Sequence, residues 1–549
     1  MKKLFRKALC LTMATLVMMS TGCKPKKQQE QETAETLVIK VFDGGYSTSW
    51  LTKIATAFEE ETGVDISIRP PVNDTATWAD EIDSGISEVD LYFDCSSGFN
   101  MANRAPLTVN GVKYDTYLAD LTDMYNTKVP GEDILYKDKM NSDLRNLTNY
   151  DYEYDYETKE YVNTQSGRWY TSYWANGSVS MVVNMESWNS SWGAFPNTTQ
   201  ELFAVCDKIL ADNAGKSVRD YVYPFGYSLE TSYWKFLFET WSYQYMTEDE
   251  YHSYINGYDA SGERYTKELV RYDGFLEALK VIEECLKYKG TDGANSYSHP
   301  YSTSLDFTTS QFYLLNGKVI MQPNGNWLIS EMAANYKDAD KMNIQFKKAP
   351  VVSSIINRCT TIADDAELSA LITAIDNGVA ALQGAGYDVD QADYDRIKRA
   401  RSIVSTMANT HSVYIPAYSN NIAKAKEFLL YMAKDKCLEI YYQETMGSTL
   451  PFKYDYTKSS YTPSKLIQSE REMLKNSLAI PLSQGSGKYE FFSATGLNAY
   501  CLPYISQNTT EVYFSSSDAS YRKTAQEIFD GNYEYLKKNW NTAYAPYAW

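Results

Sequence analysis

SQFYLLNGKVIMQPNGNWLISEM, residues 310–332, is the stretch whose reading decides how the rest of the chain is understood. Ser310 reads as a helix N-cap, with Phe312 and Leu315 three residues apart on one apolar face. Asn316-Gly317 supplies the stop, because glycine enters the left-handed region without steric cost. Lys318 to Met321 is a short β-branched run that predicts a buried strand. Pro323-Asn324-Gly325-Asn326 predicts a tight turn, and Trp327 opens a second helix. Helix, strand, turn and tryptophan together present an aromatic ring at a strand end, where open α/β sheets bind ligands.

The same alternation runs through the first hundred residues. Leu37 to Phe42 predicts a strand and Asp43-Gly44-Gly45 a turn, and Leu51, Ile54, Ala55 and Phe58 then repeat at helical spacing up to Gly63. Val64 to Ile68 and Val89 to Asp94 are further strands, which predicts a mainly parallel sheet flanked by helices. Further on, Thr198 with Glu201 makes a capping box, Phe275, Leu276, Leu279, Ile282 and Leu286 form the apolar face of a helix, and Ile344 to Val352 reads as a strand containing Pro350.

The N-terminus reads as an export signal. Lys2, Lys3, Arg6 and Lys7 precede an apolar run, Ala8 to Met19, too short to span a bilayer. Ser20-Thr21-Gly22-Cys23 resembles the cleavage box of bacterial lipoproteins, which implies a lipid on Cys23 and an extracytoplasmic, membrane-anchored protein. Lys24 to Glu35 holds almost nothing apolar and predicts a flexible tether.

A net charge of −18, more acidic still once the basic signal is removed, argues against a nucleic-acid partner. A chain of 549 residues exceeds what one hydrophobic core serves, so two lobes are expected. Of eight cysteines, Cys10 leaves with the signal; the six beyond Cys23 are widely spaced and expected mostly as free, buried thiols. Forty-eight tyrosines, eleven tryptophans and twenty phenylalanines offer flat apolar faces with polar tips. Sugars have the matching character of apolar C–H faces and a hydroxyl rim.

Catalytic signatures are sparse. His252, His299 and His411 are not paired at metal spacing, and neither a nucleophile elbow nor a phosphate-binding loop is found. No cofactor and no metal is expected. Tyr150 to Tyr161 alternates acid and tyrosine, which predicts a hairpin; calcium is the alternative, but a calcium loop wants Gly and Glu where Tyr156 and Val162 stand.

Phe312, Gly317-Lys318 with Met321, and Gly325-Asn326-Trp327 resemble the signature segment of family 1 extracellular solute-binding proteins, the sugar-binding group related to maltose-binding protein. In order along the chain, Trp169 to Trp174 with Ser178 to Asn184 resembles that family's first crossing between lobes. Val413 to Pro416 resembles the returning crossing, and the helix after Ser419-Asn420-Asn421 and the loop Gly447 to Pro451 are similar to segments that follow it.

The resemblance implies a two-lobed periplasmic-binding-protein-like fold (type II), each lobe a mainly parallel sheet flanked by helices. Its expected divisions are the signal 1–22, the tether 23–35, lobe 1 from 36–177 and 411–446, and lobe 2 from 178–356 and 447–549. Residues 357–410 are expected as a helical insertion, with helices Asp364–Ala374 and Asp393–Thr406 joined by Gly384-Ala385-Gly386, and 100–165 as another expansion. The implied function is capture of a carbohydrate, an oligosaccharide by preference, in the cleft of a monomer, and delivery to the permease subunits of an ABC transporter. Trp327, Trp50, Trp174, Trp234 and Tyr233 are the candidate stacking rings, and Asp94, Asn326 and Asn184 the candidate partners of sugar hydroxyls. A surface glycan-capture lipoprotein without a permease is the alternative, with a carbohydrate-active enzyme behind it.

Overall fold

The computed structural model describes residues 36–95, 107–142, 144–145, 149–155, 160–290, 293–333, 335–379, 388–406, 411–481 and 510–545, with positions 492, 495, 497 and 500. The signal, the tether, Cys23, Cys501 and the Gly384-Ala385-Gly386 linker lie outside the described residues.

Two mixed sheets organise the chain. In the first, Leu37–Val41 runs parallel to both Ile66–Ile68 and Leu91–Phe93, while Ser412–Tyr414 and then Ser172–Tyr173 add antiparallel at the far edge. In the second, Ser178–Asn184 is the axis: Val319–Gly325 pairs antiparallel along one side, and Tyr223–Phe225 pairs parallel with Val319–Gly325. Its other side is shared by Ile344–Lys347 and Ile403–Thr406, the latter continuing parallel to Leu478–Pro481. The chain passes from the first sheet to the second between Tyr173 and Ser178, and returns between Thr406 and Ser412. The antiparallel members arise at these crossings, because a strand entering from the opposite lobe runs against the parallel set.

Helix patterning explains most of the core. Phe275, Ala278, Leu279, Ile282, Cys285 and Leu286 are the buried stripe of Asp273–Leu286. Each large apolar side chain so buried contributes about 1.5–3 kcal/mol. Thr198 accepts from the Glu201 N–H at the start of Thr199–Ala211, as its N-cap position predicts. Cys206, Cys285 and Cys437 are buried free thiols, and Cys95 and Cys359 are half-buried and free.

Four local expectations are corrected. The helix before Gly317 is Phe307–Leu315, capped by Asp306 rather than Ser310, since the Asp306 carboxylate accepts from the Thr309 N–H at 2.7 Å. Pro323-Asn324-Gly325 is not a turn: the strand runs on through it, pairing Pro323 with Met181 and Gly325 with Val179. The helical hairpin beyond 357 consists of Asp365–Asp376 and Gln391–Ser402, but Ile403–Thr406 is a fully buried strand of the second sheet, not a helix end. Ile344–Lys347 also stops short of Pro350. Asn149–Asp155 and Glu160–Trp169 do pair antiparallel, with Tyr154 opposite Tyr161.

Candidate functional site

The C-terminal ends of parallel strands from both sheets converge on one cavity of about 110 Å³. From the first sheet come Phe42, Gly44, Gly45 and Tyr46 after Leu37–Val41, and Cys95 after Leu91–Phe93. The second sheet contributes Trp327 just past Val319–Gly325, and Glu331 one turn further on. Tyr233 and His411 close the remaining sides.

Trp327 is the centre of this arrangement. Its ring centroid lies 5.7 Å from Tyr233 and 6.2 Å from Tyr46, both edge-on, and its indole N–H donates to Tyr233 Oη at 3.1 Å. Two glycines permit the close approach. A Cβ on Gly45, which has φ +75°, would stand 2.6 Å from Trp327 Cβ, and one on Gly177 would stand 2.9 Å from the indole and 2.6 Å from Tyr46 Oη. The two sheets are also tied by a buried hydrogen bond from Tyr46 Oη to Asn326 Oδ1 at 2.8 Å. Asn326 Nδ2 donates onward to the Asn176 carbonyl at 3.2 Å, so one amide joins the first-sheet loop to the crossing segment.

Burial sets the ionisation around the cavity. Desolvation pushes the Glu331 carboxyl up to about 7, offset in part by the amide of Gln311, which donates to it. Glu470, fully buried near Asn326 and Ser178, is likewise raised to about 7 by desolvation, although Thr449 Oγ1 donates to it at 2.8 Å. Burial raises the Cys95 thiol to about 12, and its Sγ lies 3.9 Å from His411 Nε2. The hydroxyls of Tyr46 and Tyr233 are raised for the same reason and stay neutral.

The residues singled out from sequence divide clearly. Trp327 and Tyr233 line the cavity, and Asn326 stands directly behind it as the link to Tyr46. Trp174 forms the layer beneath, its ring centroid 6.0 Å from Tyr46 and 5.1 Å from His411, with its N–H donating to the Asp94 carbonyl at 2.9 Å. Trp50 lies deeper, stacked on Trp174 at 5.7 Å and wholly buried. Asp94 is turned inward, one carboxylate oxygen accepting from Tyr414 Oη at 2.5 Å. Trp234 is buried among Phe225 and Tyr227 in the core of the second lobe.

Asn184 serves the local backbone: its amide donates to the Leu314 and Leu315 carbonyls at 2.8 and 3.3 Å, and its oxygen accepts from the Ser187 N–H. Leu315 is the last residue of the helix before Gly317, so its carbonyl lies past the intrahelical donors and takes the Asn184 amide. Asn184→Ala is therefore expected to lower stability by about 1–3 kcal/mol, read by urea unfolding, while leaving ligand affinity alone. A loss of affinity without a loss of stability would contradict that placement.

Phe42, Gly45, Tyr46, Cys95, Glu331 and His411 were missed from sequence. The signals available were the position of Tyr46 directly after the predicted Asp43-Gly44-Gly45 turn, and the spacing of Glu331 one helical turn beyond Trp327.

No protein-family model and no curated protein sequence matches the chain. Solved structures do. The GacH receptor of Streptomyces glaucescens GLA.O, described unliganded and with acarbose and an acarbose homolog, superposes with a TM-score of 0.55 at 14% identity, over 92% of this chain and 98% of that one. The solute-binding protein RafE in complex with raffinose gives 0.54 at 12% identity, over 92% and 99%. The binding protein MsmE of Bacillus subtilis subsp. subtilis str. 168, in an open conformation, gives 0.51 at 13%, over 93% and 100%. At such identities the likeness carries the fold: the chain has the two-lobed, periplasmic-binding-protein-like α/β architecture. Among the described residues no helix is long and apolar enough to cross a membrane.

Proposed function

We propose that the chain is an extracellular family 1 solute-binding protein that captures a carbohydrate between its lobes and hands it to an ABC transporter permease, held at the membrane by lipid on Cys23. The observation that carries this reading is the cavity itself, built from the strand ends of both sheets and walled by Trp327, Tyr233, Tyr46 and Phe42. Aromatic faces suit sugar C–H faces, and the shared fold belongs to proteins whose structures hold acarbose and raffinose. The lobes are taken as 36–177 with 411–446, and 178–356 with 447–549.

At about 110 Å³ the cavity is smaller than the few hundred Å³ of most ligand sites. It takes one small moiety, so an oligosaccharide enters only when the lobes part and the Tyr46–Asn326 bond opens. Hinge motion follows from ligand contacts made to both lobes, which favour the closed state. Trp327, Tyr233 and Asn326 are the residues assigned to the ligand, with Trp174 and Trp50 supporting them from beneath.

A thermal-shift screen against neutral and charged oligosaccharides, followed by small-angle scattering with the best of them, tests the reading. The expected result is a raised midpoint, because a ligand of the folded state alone stabilises it, together with a smaller radius of gyration. Binding without any change in dimensions would point to a rigid glycan-capture protein instead.

A further inference from the structure

We propose that the inter-lobe cavity is a subsite for an ammonium group carried by the sugar; this deepens the carbohydrate reading above and rests on it. The walls are the rings of Phe42, Tyr46, Tyr233 and Trp327, and among the described residues Glu331 is the carboxyl that lines them. Tyr233 and Tyr46 meet Trp327 at interplanar angles of 65° and 73°, and His411 meets Tyr46 at 86°. Rings set at such angles wall the cavity from several directions rather than as one stack, and aromatic walls attract a cation through the ring quadrupoles.

A neutral hydroxyl offers the carboxylate at that cavity a hydrogen bond but no opposing charge. Gln311 is its one side-chain donor among the described contacts, and an ionised carboxylate held away from water is costly unless a charge meets it. An ammonium group supplies both the charge and up to three donors. The surroundings carry the same sign: Glu230 and Glu331 act on Tyr233, Glu470 acts on Tyr46, and Asp94 acts on Cys95, with Lys235 as the opposing cation.

The titratable groups facing the cavity are Glu331, His411, Cys95, Tyr46 and Tyr233, with Glu470 and Lys235 behind them. The thiol and both phenols are held neutral by burial through the physiological range. Burial holds Glu331 near 7, so acid protonates it and removes the partner of the cation.

The test uses three probes on the folded protein, read by calorimetry: glucosamine oligomers from chitosan, cello-oligosaccharides of equal length, and choline. At about pH 7, where the sugar amines and Glu331 are both partly ionised, the glucosamine oligomers are expected to bind at least roughly 10-fold tighter than their neutral counterparts. Choline, whose charge does not titrate, is expected to lose roughly 30-fold in affinity between about pH 8 and pH 5.5, following the ionised fraction of Glu331. Glu331→Gln is expected to collapse the charged-to-neutral ratio toward one and flatten that pH response. The ratio and the choline profile come from the unsubstituted protein, so a poorly folding variant does not remove the test.

Neutral oligosaccharides that bind and compact the protein as well as the charged ones would overturn the ammonium subsite and leave the carbohydrate reading standing. Choline binding with no sugar of either charge would leave a cation site but overturn the carbohydrate reading, and with it an ammonium group carried by a sugar. Binding by none of the three would overturn both.

Discussion

Replacing Trp327 with alanine is expected to weaken carbohydrate affinity by roughly 30-fold or more and to lower stability by about 3–5 kcal/mol. The side chain is only 4% exposed. Removing it leaves a void between the Gly45 loop, the Gly177 crossing and the start of Leu328–Met332, all of which are shaped around the indole. Large-to-small changes cost most where the surroundings cannot collapse, and here the surroundings belong to two lobes. Trp327→Phe separates the two losses: it keeps an aromatic face but gives up the N–H that donates to Tyr233 Oη. Thermal denaturation and calorimetry on both variants check the argument. Unchanged sugar affinity in a folded Trp327→Ala protein would remove this tryptophan from the site.

The second large effect concerns Glu470 and runs against habit for a carboxylate. Its pKa rises from 4.5 in the unfolded reference to about 7 in the folded protein, chiefly through desolvation. The folded state therefore holds a proton that the unfolded state has lost between those values, and the slope of stability with pH is negative. This contribution is fully present below about pH 4.5 and is lost as pH rises through 7, an effect on the order of 3 kcal/mol.

Glu470→Gln imitates the protonated form and keeps an acceptor for Thr449 Oγ1. It is expected to be close to neutral at about pH 5 and stabilising by up to about 3 kcal/mol at pH 8. Urea unfolding of both proteins across that range gives the difference directly, and the general self-repulsion of an acidic chain cancels in it. A difference that does not vary with pH would mean that Glu470 is ionised in the fold throughout.

Both predictions depend on contacts between distant segments, and the legibility of the chain divides along that line. Local signals acted as expected wherever partners lie within a turn or two. Gly63 and Gly317 end helices in the left-handed region, Thr198 caps its helix, and the apolar stripe from Phe275 to Leu286 is buried. Strand and helix alternation likewise predicts the α/β class, because the periods of 2 and 3.6 are properties of neighbouring residues.

Tertiary structure decided everything about facing. Pro323-Asn324-Gly325 has turn composition, yet Ser178–Asn184 lies alongside and draws it into the sheet. Ile403–Thr406 follows a helix without a break in composition and becomes a strand because two neighbours are there to pair with it. Trp50, Trp174, Trp234 and Trp327 are equally good sugar platforms as residue types, but only Trp327 meets the cavity. The difference is set by partners such as Tyr46 and Asn326, which stand 280 positions apart and touch. A residue's own neighbours specify whether it lies on a helix or a strand; whether its ring faces a ligand or a core depends on what the opposite lobe brings against it.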